Sequence, residues 1–167
     1  MFLSRRRIVL ILVIAAVAGA IILLPLILTA TLPADLNTIA IRLSKVEVVN
    51  STNEDISLNV IFSIHNPTQK SLTTSKIEYQ LYANNKSLGQ GMLSFEDVPV
   101  NGRPQLLSNS TTQLKSQFEM SRSAANEDIF KLIQKPLMAR NIHWAVQGTA
   151  LIESGLSSSP LQFSDYP

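Results

Sequence analysis

The residues able to perform acid–base or metal chemistry are few in this sequence and lie far apart along it. The only histidines are His65 and His143, and neither has a second ligand at i+2 or i+4, the spacing that a metal site on one element needs. Adjacent acidic residues, whose side chains diverge, occur at three places: Glu54-Asp55, Glu96-Asp97 and Glu127-Asp128. Because cysteine is also absent, we predict that the protein is not an enzyme and holds no metal or cofactor.

Positive charge is concentrated at the N-terminus. Arg5, Arg6 and Arg7 are three of the 14 basic residues, so eleven remain against 12 acidic residues, a net charge of −1 for the rest of the chain. A nucleic-acid-binding domain needs a basic face for phosphate contacts. We therefore predict no nucleic-acid partner.

An uncharged apolar segment, residues 8–28, follows these arginines directly. As a helix it would span roughly 30 Å, the thickness of a bilayer's hydrocarbon core. The positive-inside rule then predicts a single-pass protein with a cytoplasmic N-terminus (1–7), a transmembrane anchor (8–30), a linker (31–38) and an extracytoplasmic domain (39–163) with a short tail (164–167). A cleaved signal peptide is the alternative, although its apolar region is usually shorter, about 7 to 15 residues.

Two alternating runs flank the sequence His65-Asn66-Pro67-Thr68 and predict two strands that share a core. Their inward-facing residues are Leu58, Val60, Phe62 and Ile64 before the break and Ile77, Tyr79 and Leu81 after it. Proline fixes its own backbone angle and pushes the preceding residue towards extended geometry. We therefore predict that the Asn66 side chain closes a structural turn with Pro67, without binding a ligand.

Further alternation predicts strands at 41–49, 88–95, 112–120 and 142–152, and a short one at 161–163 after a flexible segment at 155–159. Within the first, the apolar face changes phase near Ser44 and Lys45, which predicts a β-bulge. Asn84-Asn85-Lys86 predicts a tight hairpin. Six to eight short antiparallel strands with one short α-helix are typical of a β-sandwich.

The one helical pattern beyond residue 30 follows Glu127-Asp128, and acidic residues are favourable at the start of a helix. Its apolar positions, at i, i+3, i+4 and i+8, are Ile129, Leu132, Ile133 and Leu137. If the sandwich opens beside this helix, these four residues line an apolar cleft.

An ordered set of segments resembles the late embryogenesis abundant type 2 domain, also called the water-stress and hypersensitive-response domain. The segments are His65-Asn66-Pro67-Thr68, Ile77-Glu78-Tyr79-Gln80-Leu81, Leu88-Gly89-Gln90-Gly91 and Trp144-Ala145-Val146-Gln147-Gly148. The resemblance spans roughly residues 39–163. It implies a fibronectin-III-like or immunoglobulin-like sandwich without catalytic activity, in proteins linked to desiccation and stress tolerance, several of them membrane-anchored.

Three sequons fall in predicted turns or loops, at Asn50, Asn85 and Asn109, and are candidate glycosylation sites in an exported protein. Taken together, these features predict a non-enzymatic, membrane-tethered domain that protects or binds membrane or envelope proteins under stress. A module that binds lipid or another apolar ligand, and an accessory subunit of a membrane complex, are the alternatives. In every case the lipid bilayer is a partner.

Overall fold

Alternating apolar and polar residues produce eight antiparallel strands in the part of the chain that the structure, a computed structural model, describes: residues 9, 14–15, 17–23, 36–123, 126–135, 141–155 and 157–165. The strands are β1 (Ala40–Ser51), β2 (Asp55–Asn66), β3 (Leu72–Ala83), β4 (Lys86–Ser94), β5 (Gln105–Leu106), β6 (Ser110–Ser121), β7 (Trp144–Ser154) and β8 (Ser157–Asp165). Short 3-10 helices lie at Leu36–Thr38 and Val100–Gly102, and an α-helix, here the domain helix, lies at Glu127–Ile133.

The chain divides into two compact units, Met1–Pro33 and Ala34–Pro167. The described residues of the first unit are helical, whereas the second unit contains both sheets. One sheet has the order β1-β2-β6 and the other the order β4-β3-β7-β8, with β5 paired to β3. The prediction of a mostly β, antiparallel fold is confirmed, and the finer assignment to a fibronectin-III or immunoglobulin type stays a prediction.

The core lies between the two sheets and is built from the predicted inward faces of β2 and β3. Leu58, Val60, Phe62 and Ile64 are fully buried, as are Ile77 and Leu81. The rings of Phe62 and Tyr79 meet edge to face across the two sheets, with their centroids 5.0 Å apart. Both runs beside Asn66-Pro67 therefore contribute to a single core, as the alternation predicts.

The predicted bulge in β1 is confirmed, because the pairing with β2 shifts between Leu43 and Lys45. The extra residue places Leu43 opposite Phe62 and Val46 opposite Val60, so both apolar side chains pack against the core despite the change of phase. The Leu43 N–H group donates to the Asp165 carboxylate at 2.7 Å, which links β1 to β8 of the other sheet. A second shift lies between Val48 and Asn50.

The β3–β4 hairpin turns at Asn84 and Asn85, whose φ angles are +48° and +62°. Positive φ at both central residues fits the tight hairpin that the sequence predicts. The prediction for the C-terminal strand is wrong in extent, since residues 157–159 pair with β7 and Ser164 and Asp165 continue β8 past residue 163. Serines are poor strand formers by themselves, and here pairing with β7 overrides that preference. Pro160 lies within β8, which is an edge strand of its sheet.

Candidate functional site

The Asn66 side chain lies where the chain leaves β2 for β3, and every polar atom of its carboxamide is hydrogen-bonded. Its Oδ1 accepts from the Thr68 N–H at 3.0 Å and from the Thr68 hydroxyl at 2.7 Å. Its Nδ2 donates to the carbonyls of Lys70 and Leu106, both at 2.8 Å, and to that of Leu107 at 3.2 Å. The residue is 0% exposed. The Asn66 side chain thus stabilises the predicted turn, and it also binds the β5 segment to that turn.

The three sequon asparagines are exposed on turns or at a strand end. Asn50 lies near the end of β1, Asn85 in the β3–β4 turn, and Asn109 just before β6, where φ is +51°. The Asn109 N–H donates to the Thr68 carbonyl at 3.2 Å, so the turn before β6 is bonded to the turn that Asn66 stabilises. Their exposure is what an acceptor site needs, and their modification stays a prediction.

The two histidines are exposed and belong to different sheets: His65 lies in β2, and His143 lies just before β7. His65 Nδ1 lies 3.1 Å from the Thr111 hydroxyl, and the His143 N–H donates to the Asn84 side chain at 2.9 Å. Within the described ranges, no group of three or more His, Cys, Asp or Glu side chains is placed to hold a metal ion. The structure therefore assigns both histidines contacts at strand ends and turns.

The domain helix buries the apolar face that the sequence analysis placed beside a cleft. Ile129 and Ile133 are each 3% exposed, and Leu132 packs partly buried against the same core. Phe130, which the sequence pattern did not select, is fully buried. Leu137 lies outside the described residues. These side chains fill the core, and the apolar-cleft hypothesis stays a prediction.

The start of the domain helix is held by charge. The Glu127 carboxylate accepts from Lys131, one turn later, at 2.9 Å and from Arg122 at 2.7 Å. Hydrogen bonds from Lys131 and then Arg122 lower the pKa of Glu127 to about 2. The acidic pair at this position is thus a helix start, as predicted.

A concave surface that sequence reasoning missed lies on the outer face of the five-stranded sheet; we call it the amide trough. Its volume is about 780 Å³. Two rows of outward-facing residues line it across four strands: Met92, Glu78, Thr149 and Gln162 in one row, and Gln90, Gln80, Gln147 and Ser164 in the other.

The backbone floor of the amide trough lies between these rows and consists of Gly91, Tyr79, Gly148 and Phe163. A side chain at Gly91 would collide with the Tyr79 ring, at 2.3 Å, and one at Gly148 with the backbone carbonyl of Glu78, at 2.1 Å. The Tyr79 ring is turned inward, where its hydroxyl donates to the buried Ser116 hydroxyl at 2.9 Å. The glycines thus let the Tyr79 ring and the β3 backbone pack closely.

A partly buried ion pair fixes the loop after β4 to the sheet. Arg103 binds the Glu153 carboxylate, and the side chains of both are 15% exposed. Arg103 also donates to the Val98 carbonyl at 2.9 Å, and the Thr73 hydroxyl donates to Glu153 at 3.0 Å. Burial by itself would raise the pKa of Glu153, but the hydrogen bonds from Arg103 and Thr73 outweigh burial and lower it.

The described part of the N-terminal unit exposes large apolar side chains. Each of six is more than half exposed: Val9, Ile14, Val17, Ile21, Ile22 and Leu23. Among the described residues, however, no helix has both the length and the apolar character needed to cross a membrane. Arg5, Arg6, Arg7 and most of the predicted anchor at 8–30 lie outside the described residues.

Comparison with solved structures finds similar chains at low sequence identity. A solution structure of a protein from Arabidopsis thaliana is 14% identical, with a TM-score of 0.50 over 80% of this chain and 88% of that one. The likeness is one of fold. Another solution structure, of a protein assigned only provisionally to the late embryogenesis abundant proteins, is 15% identical, with a TM-score of 0.44 over 90% of this chain and 82% of that one.

A crystal structure of a protein from Archaeoglobus fulgidus is 14% identical, with a TM-score of 0.44 over 75% of this chain and 90% of that one. No protein-family model matches the sequence, and no curated protein matches it.

Proposed function

We propose that this protein is a non-enzymatic β-sandwich domain tethered to a membrane by its N-terminal segment. The domain faces the extracytoplasmic side, where it protects or binds membrane or envelope proteins under stress. The stress role is drawn from the resemblance of its ordered segments, including Asn66-Pro67, to the late embryogenesis abundant type 2 domain.

The observation that carries the tether is the exposed apolar surface of the described helical residues 9, 14–15 and 17–23. Six large side chains there are 54% to 68% exposed. Exposed apolar surface of this kind is unfavourable in water and marks a site of burial against lipid or protein. The neighbouring Arg5, Arg6 and Arg7 favour lipid and orient the segment, because basic residues stay on the cytoplasmic side.

Cysteine labelling tests the topology directly, because the natural chain contains no cysteine and gives no background. Ser4→Cys lies ahead of the arginines, and Ser158→Cys lies at an exposed position on β8. With a membrane-impermeant maleimide on intact cells, we expect Ser158→Cys to react and Ser4→Cys to react only after permeabilisation. The reverse pattern, or recovery of the unlabelled chain in the soluble fraction, would refute the proposal.

The three exposed sequons offer a second readout in a host that glycosylates exported proteins. We expect a mass increase on the mature protein that Asn50→Gln, Asn85→Gln and Asn109→Gln each reduce. An unmodified mature mass in such a host would contradict modification at these positions.

A further inference from the structure

We infer that the amide trough is a binding site for an uncharged, linear oligosaccharide. The trough lies on the outer face of one sheet, so binding there does not depend on the membrane tether or on the compartment proposed above. The topology test and the binding test below can therefore fail independently.

The strand register brings the lining together from distant parts of the sequence. Gln80 lies opposite Gln90 on one side and opposite Gln147 on the other, and Gln162 lies opposite Thr149. Directly opposed side chains on one face of a sheet are about 5 Å apart. Four carboxamides and two hydroxyls thus share one continuous surface.

The size of the amide trough fits a short chain of sugar rings. It crosses four strands, so three inter-strand spacings of about 4.8 Å give it a span of roughly 14 Å. The volume of the trough, about 780 Å³, is comparable to that of ligand sites in proteins, roughly 300 to 1,000 Å³, but the trough is open on its outer side. The inward-facing row between the lining rows leaves only backbone on the floor, so a ligand can approach the sheet closely.

The hydrogen-bonding groups match hydroxyl-rich ligands. Each glutamine carboxamide carries a donor and an acceptor, as each sugar hydroxyl does. Gln80 is oriented by its bond to the Ser87 hydroxyl, and Gln147 by its 2.7 Å bond to the Tyr82 hydroxyl. Within the described part of the chain, the exposed carboxamides of Gln90 and Gln162 have no hydrogen-bond partner and remain open to a ligand.

The charges of the lining favour a neutral ligand. Among the described residues that line the trough, Glu78 is the only carboxylate, and Lys76 pairs with it at 2.6 Å. The described residues that line the trough include no arginine, so a phosphorylated or sulfated chain would lack the bidentate contacts that usually bind such groups. Met92, 57% exposed at one end of a row, supplies an apolar surface for the C–H face of a sugar ring.

Isothermal titration calorimetry tests this inference on the full chain, kept in a detergent whose headgroup is not a sugar. The probes are hexasaccharides of α-linked glucose, β-linked glucose and β-linked N-acetylglucosamine, with dextran sulfate as the charged comparison. We expect saturable binding of at least one neutral probe and none of dextran sulfate, and the probe that binds identifies the preferred linkage.

Two paired variants separate recognition from stability. Gln90→Ala with Gln162→Ala should weaken binding about tenfold or more, because it removes two side chains that would hydrogen-bond the ligand. Gln90→Glu with Gln162→Glu, which keeps the size but loses the donors, should also weaken it. Gln113→Ala, at an exposed glutamine on β6 of the other sheet, should leave it unchanged. Circular dichroism confirms that each variant is folded.

The inference is overturned if no neutral probe shows saturable binding, or if dextran sulfate binds as well as the neutral probes. It is equally overturned if Gln113→Ala loses as much affinity as the paired trough variants.

Discussion

The same chemical group, a carboxamide, occurs in two opposite settings in this domain. At Asn66 it is fully buried and makes five hydrogen bonds, one set to its own turn and another to the β5 segment. At Gln90 and Gln162 it is exposed and has no partner among the described residues. A buried amide whose hydrogen bonds are all made holds the backbone in place, whereas an exposed amide without a protein partner bonds water and can exchange that water for a ligand. The partners of the group, and not its chemistry, decide which role it has.

The largest expected effect tests the saturated side of this comparison. Asn66→Ala removes the donor to the Leu106 carbonyl and the acceptor of the Thr68 N–H, and buried polar groups left without partners cost about 1 to 3 kcal/mol each. We therefore expect the free energy of unfolding in urea to fall by about 3 kcal/mol. Gln90→Ala, the matched change on the open side, should alter it by less than about 0.5 kcal/mol. If both variants lost the same free energy of unfolding, the distinction between the buried and the exposed carboxamide would be wrong.

A second variant, Gly148→Ala, tests whether the backbone floor of the amide trough is closely packed. A methyl group at Gly148 would lie 2.1 Å from the Glu78 carbonyl oxygen, which is backbone and cannot rotate away. Overpacking of this kind costs about 1 to 3 kcal/mol, and we expect about 2 kcal/mol for Gly148→Ala by urea unfolding. Thr149→Ala, at the neighbouring outward-facing position, serves as the control and should cost much less. If Gly148→Ala unfolds like the natural chain, the close packing described at this floor is not rigid.

The smallest effect concerns a second saturated polar group, the Glu153 carboxylate. Its folded-state pKa is lower than the ordinary value of 4.5, so folding favours the ionised form. The resulting stability is fully present above the unfolded-state pKa and is lost as the pH falls through the folded-state value. We expect a loss on the order of 1 kcal/mol, as for a single partly exposed ion pair.

Urea unfolding at a series of acidic pH values checks this prediction. Glu153→Gln should be less stable than the natural chain near neutral pH, and the difference should narrow on acidification. A difference that stays constant with pH would show that the ionised form is not the stabilising one.

The sequence predicted those parts of the fold that depend on near neighbours in the chain. The alternation in β2 and β3, the bulge near Ser44 and the hairpin at Asn84-Asn85 are all local patterns, and the structure confirms each. The Asn66 turn was also predicted, but its donation to Leu106, 40 residues away, was not. The Asn-Pro sequence shows that the Asn66 side chain can bond to a backbone group nearby. Only the position of β5 shows that it also bonds to the Leu106 carbonyl.

The amide trough was beyond prediction for a related reason. Gln80, Gln90, Gln147 and Gln162 lie on four different strands, and a shift of one residue in any pairing would turn a strand's side chains to the opposite face. Exposed glutamines carry no signal in an alternating pattern beyond facing outward. In the domain helix, spacing identified Ile129 and Ile133 as one apolar face but could not show that Phe130 is buried beside them.

Pro160 on β8 and the two register shifts in β1 affect how readily copies of the chain can associate through their strand edges. These strands lie at one edge of each sheet, where a regular row of backbone N–H and C=O groups would pair with a strand from another molecule. Proline has no N–H group to offer, and bulges break the regular spacing of that row. At these two edges, pairing with a strand of another copy of the chain is therefore disfavoured, which limits stacking into fibrils.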